Sequence, residues 1–223
     1  MSQQPKILDL AQSMEQTMEI GNLSMITDVG EAIMDSALDD GILKDIPILG
    51  SIVGAGKCIK NISDVLFTNK LIAFLTGLKD VGAEERKAAI LKWEDDAKYR
   101  MRVGEALLNM INRCDDTQKA QWLSKLFYEL VLKQQKSELF MRSEKVLSAM
   151  SVMDVMSFLD LPQSTYENLS LEKGEPYANS GLYRINAPNG YVAVEVLRIK
   201  NTTMRITEVG KYIYMILNSG AKQ

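Results

Sequence analysis

Apolar residues recur at three- and four-residue intervals through most of the chain, the spacing of helices with one buried face. Ile7, Leu10, Met14 and Met18 share a face of a first helix, and Gly21 and Asn22 offer a break after it. A second helix is expected to carry Met25, Val29, Ala32, Ile33 and Ser36, ending at Asp39, Asp40 and Gly41. Pro47 suits the first turn of the next helix, where a missing N–H is no loss. From there Ile48, Ile52, Ala55, Ile59, Ile62 and Leu66 form a narrow apolar stripe, with Lys57, Lys60, Asn61 and Asp64 opposite it. Thr68 is expected to cap a short helix bearing Leu71, Ile72, Leu75 and Leu78. Ile90, Trp93, Ala97, Met101, Gly104, Leu108 and Ile111 then keep the spacing long enough to predict one helix over 83–113, about 45 Å at about 1.5 Å per residue.

Further helices are expected after Asp115 or Asp116, with Ala120, Leu123, Phe127, Leu130 and Val131 inward, and after Ser137, with Phe140, Val146, Leu147 and Met150 inward. Ser151 stands three residues before Asp154 and Ser164 three before Glu167, so each pair predicts a helix start, the second as a full capping box. The period then changes. Gly181 to Ile185 and Tyr191 to Ile199 read as strands joined by the turn at 186–190, where Asn189-Gly190 is a hairpin signal. A third strand is expected at Met204 to Ile206, and Thr207 is expected to cap a last helix with Val209, Ile213, Ile216 and Leu217 inward. The predicted fold is mainly α: a multi-helix body followed by a winged-helix-like α+β module. The expected divisions are 1–45, 46–137 (with the amphipathic segment 46–78 and the long helix 83–113) and 138–223.

Charge adds an asymmetry. Residues 1–45 hold two lysines against nine carboxylates, a net of −7, leaving +4 for the remainder of a chain whose total is −3. Solvated helix faces explain this, and an acidic region covering a basic surface is the sharper alternative. The chain has no histidine, which removes the usual general base, zinc ligand and pH switch. Cys58 and Cys114 have no metal-ligand spacing and suit small buried positions. The N-terminus lacks a cationic start followed by an apolar run, so a reducing cytoplasm is expected. The 13 methionines suit adaptable packing, with core filling the expected role for most.

No sequence motif specifies a reaction. In GSIVGAGKC the phosphate-loop pattern fails, because Ser51 stands where the first glycine belongs and Cys58 follows Lys57 in place of serine or threonine. Glu94, Asp95 and Asp96 are consecutive on the expected helix and point apart, so they do not converge on a metal. No cofactor or metal is expected, no catalytic residue is assigned, and the chain is read as not an enzyme. The expected recognition helix at 164–171 carries no lysine or arginine, whereas Arg184, Arg198, Lys200 and Arg205 line the wing as candidate nucleic-acid contacts. The stripe at Ile48, Ile52, Ile59, Ile62 and Leu66, with Lys57 and Lys60, is a candidate membrane or partner contact. Its lysines argue against a membrane span, while four lysines against one aspartate over 46–79 suit a membrane surface. Packing of the stripe on the long helix over 83–113 is the favoured reading for the resting fold.

Three stretches carry a resemblance: 45–78, DIPILGSIVGAGKCIKNISDVLFTNKLIAFLTGL; 84–96, EERKAAILKWEDD; and 206–217, ITEVGKYIYMIL. They resemble a widespread family of small helical proteins of bacteria and prophages. The layout, with a Thr-Glu-x-Gly terminal helix, is similar to the abortive-infection alpha group. That resemblance implies phage defence or prophage maintenance, with no reaction or catalytic residues to carry over. The expected function is a non-enzymatic interaction protein acting through protein contacts and a conditionally exposed amphipathic helix. The alternatives are a winged-helix DNA-binding regulator and a structural subunit of a larger assembly. Expected partners are a protein, a second copy of the chain, a membrane surface or DNA, and the expected location is the cytoplasm or the periphery of the inner membrane.

Overall fold

The computed structural model describes residues 7–26, 45–54, 62–94, 102–132, 137–186 and 203–219. The protein is mainly helical, with a small three-stranded antiparallel sheet, and divides into two compact units, Met1–Ser137 and Glu138–Gln223. Among the described residues, no helix is long and apolar enough to cross a membrane.

In the first unit, α1 (Ile7–Met18) buries Ala11, Met14 and Met18. It packs on α2 (Pro47–Gly54), α4 (Ala83–Glu94) and α5 (Val103–Arg113). A second layer pairs α3 (Ile62–Thr76) with α6 (Thr117–Leu132), where the Phe74 and Phe127 rings meet at 6.0 Å between centroids. A helix leaves backbone groups unsatisfied at each end, and burying those ends requires partners. Here the partners come from other helices. Thr17 of α1 accepts from the Ile48 N–H of α2 at 3.0 Å, and Ser13 and Ser51 share a 2.6 Å hydrogen bond between the same two helices. Glu15 closes the start of α5, accepting from the Gly104 N–H at 3.3 Å and pairing with Arg102 at 2.6 Å. Lys70 of α3 closes the other end of α5, donating to the carbonyls of Asn112 at 3.0 Å and Cys114 at 2.6 Å.

The end of α1 is closed by Arg86, fully buried on α4. Its Nε donates to the Met18 carbonyl at 2.8 Å, and its two terminal nitrogens donate to the carbonyls of Ile20 and Val81. A cation among the carbonyls at a helix C-terminus also meets the negative end of the helix dipole. Burial lowers the Arg86 pKa below its usual value, with Glu85 acting in the opposite direction. Close approach matters as well: a Cβ at Gly104 would lie 2.1 Å from the Ala11 carbonyl oxygen, so α5 could not seat on α1 with any larger residue there.

Two expectations are corrected here. The helix expected over 83–113 is two helices, because Arg102 is extended (φ −58, ψ 143) immediately before α5. An in-phase apolar stripe does not reveal such a break, and the side chain of Glu15 supplies the new helix start. Thr68 does not cap a helix. It lies inside α3, where its hydroxyl bonds back to the Asp64 carbonyl at 2.8 Å. The helix expected from Met25 to Ser36 falls almost wholly outside the described residues.

The second unit comprises α7 (Ser137–Ala149), α8 (Val152–Leu159), β1 (Asn168–Ser170), α9 (Leu171–Ala178), β2 (Tyr183–Asn186), β3 (Thr203–Ile206) and α10 (Glu208–Asn218). The strand order is β1-β3-β2, antiparallel throughout. Leu169, Met204 and Tyr183 are buried on the side of the sheet covered by α9. Ser151 caps α8 as expected, accepting from the Asp154 N–H at 3.1 Å. The helix expected at 164–171 is corrected: the N–H groups of Thr165 and Tyr166 bond to the Pro162 carbonyl in a turn, and 168–170 pair with β3. Ser170 caps the actual helix, α9. The described partner of β2 is β3, while Tyr191 to Ile199 lies outside the described residues.

Replacing Arg86 with Met should lower the stability of the first unit by about 3 kcal/mol, because three carbonyls, two of them in buried contacts, lose their donor. Urea denaturation followed by Trp fluorescence would show this as a fall in midpoint at unchanged slope. A variant as stable as the parent would contradict the assignment.

Candidate functional site

The second unit is built around Phe158 of α8. Its ring lies 5.8 Å from Tyr177, 6.1 Å from Tyr183 and 5.7 Å from Tyr214, and Tyr214 stacks on Tyr166 at 4.0 Å. The Tyr183 hydroxyl donates to the Tyr166 carbonyl at 2.5 Å, and that of Tyr214 donates to the Leu161 carbonyl at 2.6 Å. Asn218 donates to the Leu159 carbonyl at 3.1 Å, so α10 closes the end of α8. Burial raises the phenol pKa of Tyr183, with Tyr177, Tyr214 and Tyr166 adding to the effect. Tyr177 is raised by burial and then by Asp154 and Asp160, and Tyr214 by burial and then by Tyr166. These phenols stay protonated at neutral pH and hold the fold together.

Thr207 joins this core to the sheet. Its hydroxyl donates to the Gly181 carbonyl at 2.7 Å and accepts from the Gly210 N–H at 3.1 Å, while its own N–H donates to the Leu182 carbonyl at 2.8 Å. A Cβ at Gly210 would come within 2.5 Å of the Leu182 oxygen, which accounts for the glycine three residues after the cap.

Two outward surfaces result. Helix α8 turns Val155 and Phe158 inward, leaving Met153 72% and Met156 49% exposed, while α10 leaves Met215 64% exposed. Met215 stands three residues before Asn218 and Met156 three before Leu159, the pair whose hydrogen bond joins the ends of these helices. The other surface is the face of the sheet away from α9. There Arg184 stands opposite Arg205, and Arg205 opposite Asn168, in one row across all three strands.

The candidate residues are placed as follows. Arg184 and Arg205 are exposed cross-strand neighbours, while Arg198 and Lys200 lie outside the described residues. Ile48 is fully buried and Ile52 half-buried on α2, and Leu66 is 56% exposed on α3. Ile62 is the first residue of α3, and Lys57, Ile59 and Lys60 lie outside the described residues. Lys70, counted in the sequence among the charges of a membrane-facing segment, is instead committed to the end of α5. Sequence reasoning missed Arg86, although it stands four residues before Ile90 on the apolar stripe, where a charge is out of place. It also missed the exposed methionines, whose facing depends on which side of α8 is covered.

Among the described residues, no group of three or more His, Cys, Asp or Glu could hold a metal ion. The buried Lys119 ammonium lies 2.8 Å from Asp115 Oδ1, close enough for an ion pair but not aligned for a hydrogen bond. Comparison with known proteins finds no matching family model, curated protein or solved structure.

A phenol whose folded pKa is raised contributes stability that is full below the unfolded value, about 10, and is lost as pH rises through the folded value. The melting temperature of the second unit should therefore fall above about pH 10. Tyr183→Phe should cost about 1 kcal/mol at pH 8 through its lost hydrogen bond and should flatten that alkaline decline. A decline unchanged in this variant would refute the role given to Tyr183.

Proposed function

We propose that the protein is a non-enzymatic interaction protein of phage defence or prophage maintenance, acting in the cytoplasm through a contact made by its C-terminal unit. The observation that carries this reading is the set of exposed methionines, Met153, Met156 and Met215, on two helices whose inner faces are fully engaged. Flexible, polarisable thioethers left in water suit a surface that packs against a partner protein. The phage-related setting rests on the resemblance at 45–78, 84–96 and 206–217. Because α2 is tied to α1 by Ser13–Ser51 and Thr17–Ile48, we place the contact on the C-terminal unit rather than on the 46–78 stripe.

We read this unit as winged-helix-like. Support comes from the order β1-β3-β2, the helix between the first two strands and the antiparallel β2–β3 pair. The helix in the recognition position is then α9, LEKGEPYA, which has one lysine against two glutamates. That balance disfavours DNA reading by this helix.

A photo-crosslinking residue placed at 153 or 215 should give one defined protein adduct in cells challenged with phage. The same residue at Glu175, exposed on α9, should give none. Equal adducts from all three positions, or none from any, would reject the reading.

A further inference from the structure

The outward face of the sheet presents an unusual pairing. Arg184 of β2 and Arg205 of β3 are direct cross-strand partners, both exposed. Opposed residues in an antiparallel pair have Cα atoms only about 4.5–5.5 Å apart, and like charges held there repel. Neither arginine forms an ion pair among the described residues, whereas nearby Lys211 is paired with Glu167 at 2.7 Å. The same row continues to Asn168, and the next row on this face is Ser170, Thr203 and Asn186. The three strands contain no carboxylate. The whole unit from residue 138 onward holds nine basic and nine acidic residues, so this face is a local concentration of positive charge on a neutral body.

We propose that this sheet face binds the phosphates of a nucleic-acid duplex backbone, without reading sequence. Arginine with neighbouring Asn, Ser and Thr is the side-chain set that contacts phosphate and sugar. An anion between Arg184 and Arg205 turns their mutual repulsion into two charge-assisted contacts. Among the described residues no aromatic side chain stands in either row, so these rows offer no platform on which unpaired bases stack, and the duplex is the better occupant. This proposal is independent of the methionine surface, which lies on α8 and α10, and the two can fail separately.

The full chain should bind a short duplex in a low-salt anisotropy titration, with equal affinity for a scrambled sequence. Each of Arg184→Ala and Arg205→Ala should reduce the slope of log affinity against log salt by about one, and the double variant by about two. Arg184→Glu separates binding from folding. It places a carboxylate opposite Arg205, so it should preserve or raise the melting temperature while weakening binding at least as much as the alanine variant. An unchanged slope in the double variant, or a binding loss that only follows a fall in melting temperature, would overturn the proposal. So would displacement of the duplex by equimolar inorganic phosphate, or binding to anionic phospholipid vesicles but not to duplex.

Discussion

A buried helix end must find partners for backbone groups that its own turns cannot satisfy, and this protein meets that constraint with side chains from other elements. Thr17 and Glu15 of α1 close the starts of α2 and α5, Lys70 closes the end of α5, and Arg86 closes the end of α1. In the second unit Asn218 and Tyr214 of α10 reach back to the end of α8, and Thr207 ties the start of α10 to the chain entering β2. Each contact satisfies a helix or strand end and fixes how two elements meet. The helices are short, mostly two to four turns, and isolated helices of that length are marginal in water. Their ends and their packing are therefore stabilised together.

This arrangement separates structural side chains from those left free to bind. In the second unit the phenols of Tyr183 and Tyr214 are committed to backbone carbonyls, and Phe158 fills the centre. Among the described residues, two outward features stand out. The methionines of α8 and α10 are apolar groups in water, and the Arg184–Arg205 pair is a repulsion left unrelieved by any carboxylate in the strands. The arginine pair costs folding free energy and the methionines gain none from burial. That is the physical reason for reading them as contact surfaces.

Much of the fold was legible where its determinants are local. The Ser151 and Thr207 caps and the inward residues of α6, α7 and α10 follow from signals within a few positions. Ser164 carries the same signature as Ser151 but starts no helix, because 168–170 pair with a strand more than thirty positions later. The break at Arg102 was hidden for a similar reason: the residue that caps α5 is Glu15, on another helix. Arg184 and Arg205 were recognisable as basic residues near a wing, but only the strand register places them side by side. The methionines show the same limit, since Met14, Met18, Met110 and Met204 are buried while Met153 and Met215 are not.

The central claim is that the outward faces of the C-terminal unit act by binding and have no structural role. The most direct measurement is a saturation scan in cells scored twice, for protein abundance and for survival under phage challenge. The account predicts that substitutions at Met153, Met156, Met215, Arg184 and Arg205 lower survival while abundance holds, and that substitutions at Arg86, Lys70, Thr207 and Gly210 lower both. Survival-specific losses clustering elsewhere in the chain, or full tolerance at those five outward positions, would contradict it.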